Sequence, residues 1–159
     1  MKSSVPILVT FPVSHFCEKA RWALQFFNVE FEEAAHAPPF HRSAARGTVP
    51  ALLIDESRRI LGSDAIVEFA KSNATKNESA AKKPAPDAAR LATMDELGVR
   101  TRQWAYFYIL QDRGLALDQL APIDEVPSNE RWWLSWSIWA LVPLMRSGTF
   151  FVLSLSHLF

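Results

Sequence analysis

The first seventy residues alternate short apolar runs with amphipathic stretches, a pattern typical of an α/β domain. Residues 5–11 are apolar and rich in β-branched side chains, which predicts a buried strand. Residues 14–28 carry apolar side chains at steps of three and four, which predicts a helix packed on one face. Apolar and acidic residues then alternate over residues 29–34 and predict a half-exposed strand.

Residues 35–47 contain two prolines and predict a loop with room for a short helical turn. A second group of elements follows this loop. Residues 47–54 predict a strand that is opened by a proline. Residues 55–58 predict a polar hairpin turn, and residues 59–61 predict the returning strand. The next predicted helix begins at Ser63, which we expect to be its N-cap.

The rest of the chain is predicted to be helical. Residues 73–86 are polar and proline-ended, so they predict a linker between a first domain at 1–72 and a second at 87–159. A long helix is predicted from residue 87, a short one over 115–120, and an apolar, tryptophan-rich stretch follows at 130–145.

The C-terminal end of the chain is apolar, which is a property of segments that cross a membrane. After residue 132 the only charged residue is Arg146, and two apolar runs of about 13 residues flank it. Each run is too short to span a bilayer, which needs about 20 residues. We therefore expect a shortened helical domain. In that domain the apolar end of the chain is either exposed or forms a homodimer contact. The alternative is a membrane hairpin over 132–159.

Composition narrows the class of protein. Apolar residues make up 49% of the chain, which is enough for a packed core. Seventeen basic and seventeen acidic residues cancel, so no net field favours nucleic acid or an anionic surface. A single cysteine excludes an intramolecular disulfide, and the four histidines show no metal-ligand spacing. Prolines interrupt the N-terminal apolar run, which makes it a poor signal peptide, and we expect a cytoplasmic protein.

A hydroxyl and a thiol stand at the first strand-to-helix junction. Ser14 is a good N-cap, Cys17 follows three residues later, and Glu18 lies in the first turn, where a carboxylate suits the helix dipole. Free backbone N–H groups point outward at a helix start and stabilise anions there. A thiolate is such an anion, so the pattern predicts a site that favours thiolate chemistry.

Residues 14–22, which read SHFCEKARW, resemble the first helix of the glutathione transferase family, whose N-terminal domain has the thioredoxin-like fold. Two later runs resemble further signatures of that family in the same order: the Val-Pro dipeptide at 49–50 and GSDAI at 62–66. The resemblance covers nearly all of residues 5–70. It implies an α/β thioredoxin-like N-terminal domain followed by an all-α C-terminal domain that is short for the family.

The function that this resemblance implies is transfer of glutathione, as co-substrate, to a small apolar electrophile. Ser14 takes the first position of the four-residue turn and is the candidate catalytic hydroxyl, and Cys17 in the fourth position is the second candidate. If Cys17 is instead the catalytic residue, the chain would be a glutathione-dependent thiol reductase. The short C-terminal domain leaves a third alternative, a non-catalytic binding or interaction module.

The resemblance also implies which residues hold glutathione. The backbone of Val49, before a cis Pro50, is expected to pair with the cysteinyl part. Ser63 is expected to hold the γ-glutamyl carboxylate and Asp64 the γ-glutamyl amine, whereas Gly62 departs from the acidic or amide residue that is usual in the family.

Further candidates surround this set. The loop before the Val-Pro turn offers His41 and Arg46 for the glycyl carboxylate, and His15 and Phe16 lie in the turn beside Ser14. In the second domain the aromatic run 104–108, with Trp104 and Tyr108, is expected to form a wall of the electrophile pocket or else to pack in the core. The family also implies a homodimer.

Overall fold

The computed structural model describes residues 5–74 and 88–146. The first range contains β1 (Ile7–Thr10), α1 (His15–Phe26), β2 (Glu32–Ala35), α2 (Phe40–Ala45), β3 (Ala51–Leu53), β4 (Arg59–Leu61) and α3 (Ser63–Ala74). The second contains three helices, α4 (Ala88–Ile109), α5 (Arg113–Leu120) and α6 (Ser128–Arg146). Most of the predicted linker and the apolar end of the chain lie outside the described residues, although residues 73–74 belong to α3.

The four strands form one mixed sheet in the order β2-β1-β3-β4. Strands β1 and β2 are parallel and are joined through α1, whereas β3 is antiparallel to both β1 and β4. This sheet with its helices confirms the predicted thioredoxin-like fold, and the second range of the chain is helical as predicted.

Several boundaries differ from the prediction by a few residues. The second strand begins at Glu32 rather than at residue 29. The reason is that α1 ends in a Schellman motif, which includes residues just before the strand. In this motif Asn28 has φ 52°, and Val29 N–H donates to the carbonyl of Leu24 at 2.9 Å. Residues 40–45, within the segment predicted as a loop with room for a short helical turn, form the short helix α2.

Each face of the sheet supports a separate apolar core. Leu8 and Leu52 point to one face, where they pack with Leu24 and Ile66 from α1 and α3. Successive residues of a strand point to opposite faces. The neighbouring strand residues therefore join a second core, which includes the following side chains: Val9, Ala51, Tyr106, Leu110, Leu120, Leu134 and Ile138. The helical part of the chain thus covers one face of the sheet.

A buried carboxylate ties the helical part to the sheet. Glu130, in the first turn of α6, is only 6% exposed. One of its oxygens lies 2.7 Å from Nδ1 of His36, and the other accepts a hydrogen bond from the N–H of Ala37 at 2.9 Å. Both partners follow β2 directly, and His36 N–H also donates to the carbonyl of Thr10 on β1. The carboxylate therefore fixes α6 against the end of the sheet.

The opposite face of α6 is apolar and exposed. Trp132, Trp136 and Trp139 recur at helical spacing and are all largely exposed. The guanidinium of Arg113 lies over the ring of Trp139, 3.6 Å from its centroid. In the part of the chain that the structure describes, no helix combines the length and the apolar composition needed to cross a membrane.

Replacing Glu130 by alanine is expected to lower the free energy of unfolding by about 1–3 kcal/mol, because the buried N–H of Ala37 then loses its acceptor. Glu130→Gln should lose less, because an amide oxygen can still accept from that N–H. The measurement is urea unfolding followed by circular dichroism.

The matched control is Glu125→Ala, which removes an exposed carboxylate shortly before the same helix. We expect it to change the free energy of unfolding by no more than about 0.5 kcal/mol. Equal losses at the two positions would show that Glu130 does not join the two parts of the chain.

Candidate functional site

Ser14 caps α1 as predicted. Its backbone is extended, and its Oγ accepts a hydrogen bond from the N–H of Cys17 at 3.4 Å. Its own N–H donates to the carbonyl of Phe11 at 3.0 Å, which fixes the turn between β1 and α1. A hydroxyl that accepts one hydrogen bond can still donate its proton to another group. The side chain is half-buried, so it combines a fixed position with access to solvent.

Cys17 is part of the core. Its residue is only 1% exposed, and its Sγ accepts a hydrogen bond from the N–H of Phe11 at 3.4 Å. Burial raises the pKa of the Cys17 thiol, and the hydrogen bonds from Ser14 and Phe11 offset this only in part. The thiol is therefore protonated at neutral pH, and it packs as a small apolar side chain.

The Val49–Pro50 peptide bond is cis, as the resemblance implied. The carbonyl of Pro50 accepts a hydrogen bond from the N–H of Gly62 at 2.9 Å, which joins this turn to the start of α3. Among the described residues, none forms a hydrogen bond with the backbone N–H or carbonyl of Val49. These two groups therefore remain able to pair with an extended ligand.

The start of α3 differs by one residue from the prediction. Ser63 is the first helical residue rather than the N-cap, and the carbonyl of Gly62 accepts from the N–H of Ile66 at 3.2 Å. Gly62 has φ +87°, a backbone conformation that side chains other than glycine rarely adopt. The departure of Gly62 from the family pattern thus coincides with a position whose backbone favours glycine. Ser63 itself is buried at this helix start.

These separate stretches of sequence surround one groove of about 360 Å³. It is lined by Phe16, Thr48, Val49, Pro50, Leu61, Gly62, Ser63, Asp64 and Ala65. Five of the predicted substrate-binding residues are therefore brought together: Phe16, Val49, Pro50, Ser63 and Asp64. Ser14 does not line the groove, but it lies two residues before Phe16, at the same end of α1.

The candidates His15 and Tyr108 lie elsewhere. The ring of His15 packs against α4 so closely that a Cβ on Gly98 would lie 2.3 Å from it. Tyr108 follows Gly98 by ten residues, about 15 Å along the helix axis, and is 58% exposed. The backbone of Trp104 belongs to α4, whereas its side chain lies outside what the structure describes. Neither His15 nor Tyr108 therefore lines the groove, and Tyr108 forms no wall of it.

The two candidates for the glycyl carboxylate also face away from the groove. His41 is 5% exposed and stacks on Phe11, with 5.2 Å between ring centroids. Burial lowers the pKa of His41 to about 4, so its ring is neutral at physiological pH. Arg46 ends α2 with φ 51°, and its guanidinium donates to the carbonyl of Glu56 at 3.3 Å. Arg46 lines a different hollow, beside the β3–β4 hairpin.

Sequence reasoning missed an ionic contact at the rim of the groove. Lys19 Nζ lies 2.8 Å from Asp64 Oδ1 and 2.9 Å from Asp95 Oδ1, so it joins α1 to both α3 and α4. Burial alone would lower the pKa of Lys19, but the two carboxylates outweigh it and raise that pKa. Two carboxylates and one ammonium leave this cluster with one net negative charge. Asp95 belongs to no motif, so only the folded chain identifies it.

The buried position of Cys17 predicts slow reaction with a thiol-specific reagent such as an aromatic disulfide. We expect the native chain at neutral pH to react at least about tenfold more slowly than the same chain in denaturant, because the native thiol is covered and protonated. Release of the coloured thiolate from the reagent measures both rates. Cys17→Ala supplies the background, since no other cysteine is present. Equal native and denatured rates would contradict the burial of the thiol.

One comparison with known proteins finds a match, which lies in the first half of the chain. Residues 8–78 match the family model described as glutathione S-transferase, N-terminal domain. No curated protein and no solved structure matches the chain. The matched residues include the cap at Ser14, the cis turn at Pro50 and the helix start at Ser63. Residues 8–78 are therefore similar to the N-terminal domain of glutathione S-transferases.

Proposed function

We propose that the chain is a glutathione transferase, which binds glutathione in the groove and adds its thiolate to a small apolar electrophile. One observation carries the proposal: the groove unites the start of α1 at Phe16, the backbone of Val49 and the start of α3 at Ser63. The family of the N-terminal domain supports a glutathione-related function.

The groove offers a complementary group to each end of a γ-glutamyl-cysteinyl unit. The γ-glutamyl carboxylate binds at the start of α3, where free N–H groups, the helix dipole and the Ser63 hydroxyl all favour an anion. The γ-glutamyl ammonium lies beside Asp64, whose carboxylate shares Lys19 with Asp95. The cysteinyl backbone pairs with Val49 in the manner of an added strand.

Ser14 is proposed to activate the bound thiol. A free thiol has a pKa of about 8.5, so only a few per cent is ionised at neutral pH. A hydrogen bond from the Ser14 hydroxyl to the sulfur, together with the dipole of α1, favours the thiolate and lowers that pKa. The thiol proton leaves to solvent, the sulfur lone pair forms the bond to the electrophilic carbon, and the displaced group departs with its bonding electrons.

The geometry disfavours a thiol reductase that works through Cys17. A mixed disulfide requires an accessible thiolate. Cys17 is buried, protonated and held by the N–H of Phe11. Cys17 supports the site by packing beneath the turn that positions Ser14.

A non-catalytic glutathione-binding module is the second candidate. The observation that favours it is the position of Tyr108, which is exposed on α4 and does not line the groove. A chain of this kind binds glutathione in the groove but has no second pocket for the electrophile. Binding without turnover would distinguish it from the transferase.

Ser14→Ala is expected to lower kcat/KM for a chloronitroaromatic electrophile by about 10²–10³-fold, which is typical of removing one donor from a developing anion. Its affinity for glutathione, measured by calorimetry, should change by no more than about threefold, since the tripeptide is held by other groups. Because the donor lowers the thiol pKa, the loss should be greatest at low pH and shrink as the pH rises and the thiol ionises unaided.

Ser14→Thr is the matched control, because threonine keeps both the hydroxyl donor and the N-cap acceptor, and we expect it to retain most of the activity. Cys17→Ser serves as the second control and should bind and turn over glutathione if it folds. Full activity in Ser14→Ala would refute the role of Ser14. Binding without any turnover in the unmodified chain would establish the non-catalytic module instead.

A further inference from the structure

A glycine in the middle of α4 brings the second part of the chain into close contact with the start of α1. Glycine is less favourable than alanine inside a helix, unless a neighbouring group needs the space. A Cβ at Gly98 would overlap Cδ2 and Nε2 of the His15 ring and lie 3.0 Å from its Cε1. The missing side chain of Gly98 therefore provides the space that the ring of His15 occupies.

A second contact lies one turn away and shows how the two helices run. Lys19 follows His15 by four residues, on the same face of α1. Asp95 precedes Gly98 by three residues, on the same face of α4. Lys19 Nζ lies 2.9 Å from Asp95 Oδ1. The contact thus advances along α1 while it goes back along α4, so the two helices are antiparallel here. The ring of His15 is the part of this contact nearest to the start of α1.

The ring of His15 also touches a residue of the groove. His15 is the first residue of α1, so it lies between the cap Ser14 and Phe16. Its ring centroid lies 3.9 Å from that of Phe16, with 40° between the ring planes. Phe16 lines the groove, whereas His15 does not. Because folded interiors are close-packed, a displacement of the His15 ring has to move Phe16 or the backbone at the cap.

We propose that His15, seated on Gly98, is a positioning residue for the transferase site. It sets the hydroxyl of Ser14 and the ring of Phe16 according to the position of α4, without touching the reacting atoms itself. Its role in turnover rests on the proposed function. A misplacement of about 1 Å at a reacting group can cost about 10²-fold in rate, so a small shift of this seat is enough to be measured. The helical part of the chain therefore supports turnover through a contact that lies outside the groove.

The first test is Gly98→Ala in the full chain, followed by NMR of the backbone amides. The added methyl group displaces the His15 ring, and we expect the amide signals of Ser14 and Phe16 to shift. The amide of Cys17 should exchange with solvent at least about tenfold faster, because it donates to the hydroxyl of Ser14 and opens when that cap moves. Unchanged signals and unchanged exchange in a folded variant would overturn the proposal.

The double variant His15→Ala/Gly98→Ala removes the overlap together with the ring. We expect His15→Ala alone to speed exchange of the Cys17 amide by about tenfold, and the double variant to match it within about threefold. A larger loss in the double variant would show that Gly98 acts through another contact, and the proposal would be wrong. His15→Ala adds no atom to α4, so it also replaces Gly98→Ala if that variant does not fold. Unchanged exchange in His15→Ala would refute the positioning role.

Turnover distinguishes positioning from a general loss of stability. Gly98→Ala is expected to lower kcat for a chloronitroaromatic electrophile by about tenfold and to leave KM for glutathione within about threefold. In a Ser14→Ala background the same substitution should lower kcat by no more than about twofold, since the hydroxyl that it misplaces is already absent. Equal losses in the two backgrounds would contradict positioning of Ser14 by His15.

Gly114→Ala is the matched control, because it adds the same methyl group to α5. The nearest atom to that methyl group is Oδ1 of the exposed Asp112 side chain, at 3.2 Å, and we expect kcat and the Ser14 signals to stay unchanged. An equal response in this control would overturn the proposal. The two proposals fail separately. An unmodified chain without turnover would overturn the transferase, whereas the NMR measurements would still decide whether His15 positions the turn.

Discussion

A carboxylate removed from water must find hydrogen-bond partners in the protein, and Glu130 finds them at the end of β2. Its two oxygens reach His36 and the N–H of Ala37, so α6 is held where the sheet passes into the segment before α2. The apolar core on that face includes side chains from both parts of the chain, among them Val9, Cys17 and Leu134. Turning α6 away would expose this core and leave a charged group unpaired.

The groove is built mainly from backbone groups and helix starts. Ser14 and Ser63 stand at the beginnings of α1 and α3, and Val49 contributes its peptide groups through an adjacent cis bond. Such groups are fixed by secondary structure and need no long side chain to be ordered before a ligand binds. The charged cluster of Lys19, Asp64 and Asp95 lies at one rim and connects the groove to α4. Among the described residues, this ion-pair cluster and the contact of His15 with Gly98 connect the second half of the chain to the start of α1 beside the groove.

Features fixed by neighbouring residues were predictable from the sequence. The cap at Ser14, the helix end at Asn28 and the cis turn at Pro50 each depend on a few adjacent positions or on a family signature. Features fixed by distant contacts were not. The orientation of His41 depends on Phe11, thirty residues earlier, and the ion pair of Lys19 depends on Asp95 in another helix.

The errors at element boundaries have equally local causes. Helix α2 has only six residues, too few for an apolar period to show beside Pro38 and Pro39. The Schellman motif uses Asn28 and Val29, although Val29 is the first residue of the alternation that indicated a strand. At the start of α3, Ser63 has the composition of a cap, but the left-handed backbone of Gly62 moves the helix start by one residue. In each case the sequence pattern predicted the right kind of element or turn, but the boundary residue was wrong.

The outward-facing tryptophans of α6 have an optical consequence. Indole emission shifts mainly when a ring moves between an apolar and an aqueous environment, and Trp132, Trp136 and Trp139 already face water in the folded chain. Trp22 is likewise exposed, on the surface of α1. The emission wavelength of these four exposed tryptophans is therefore expected to change little when the chain unfolds.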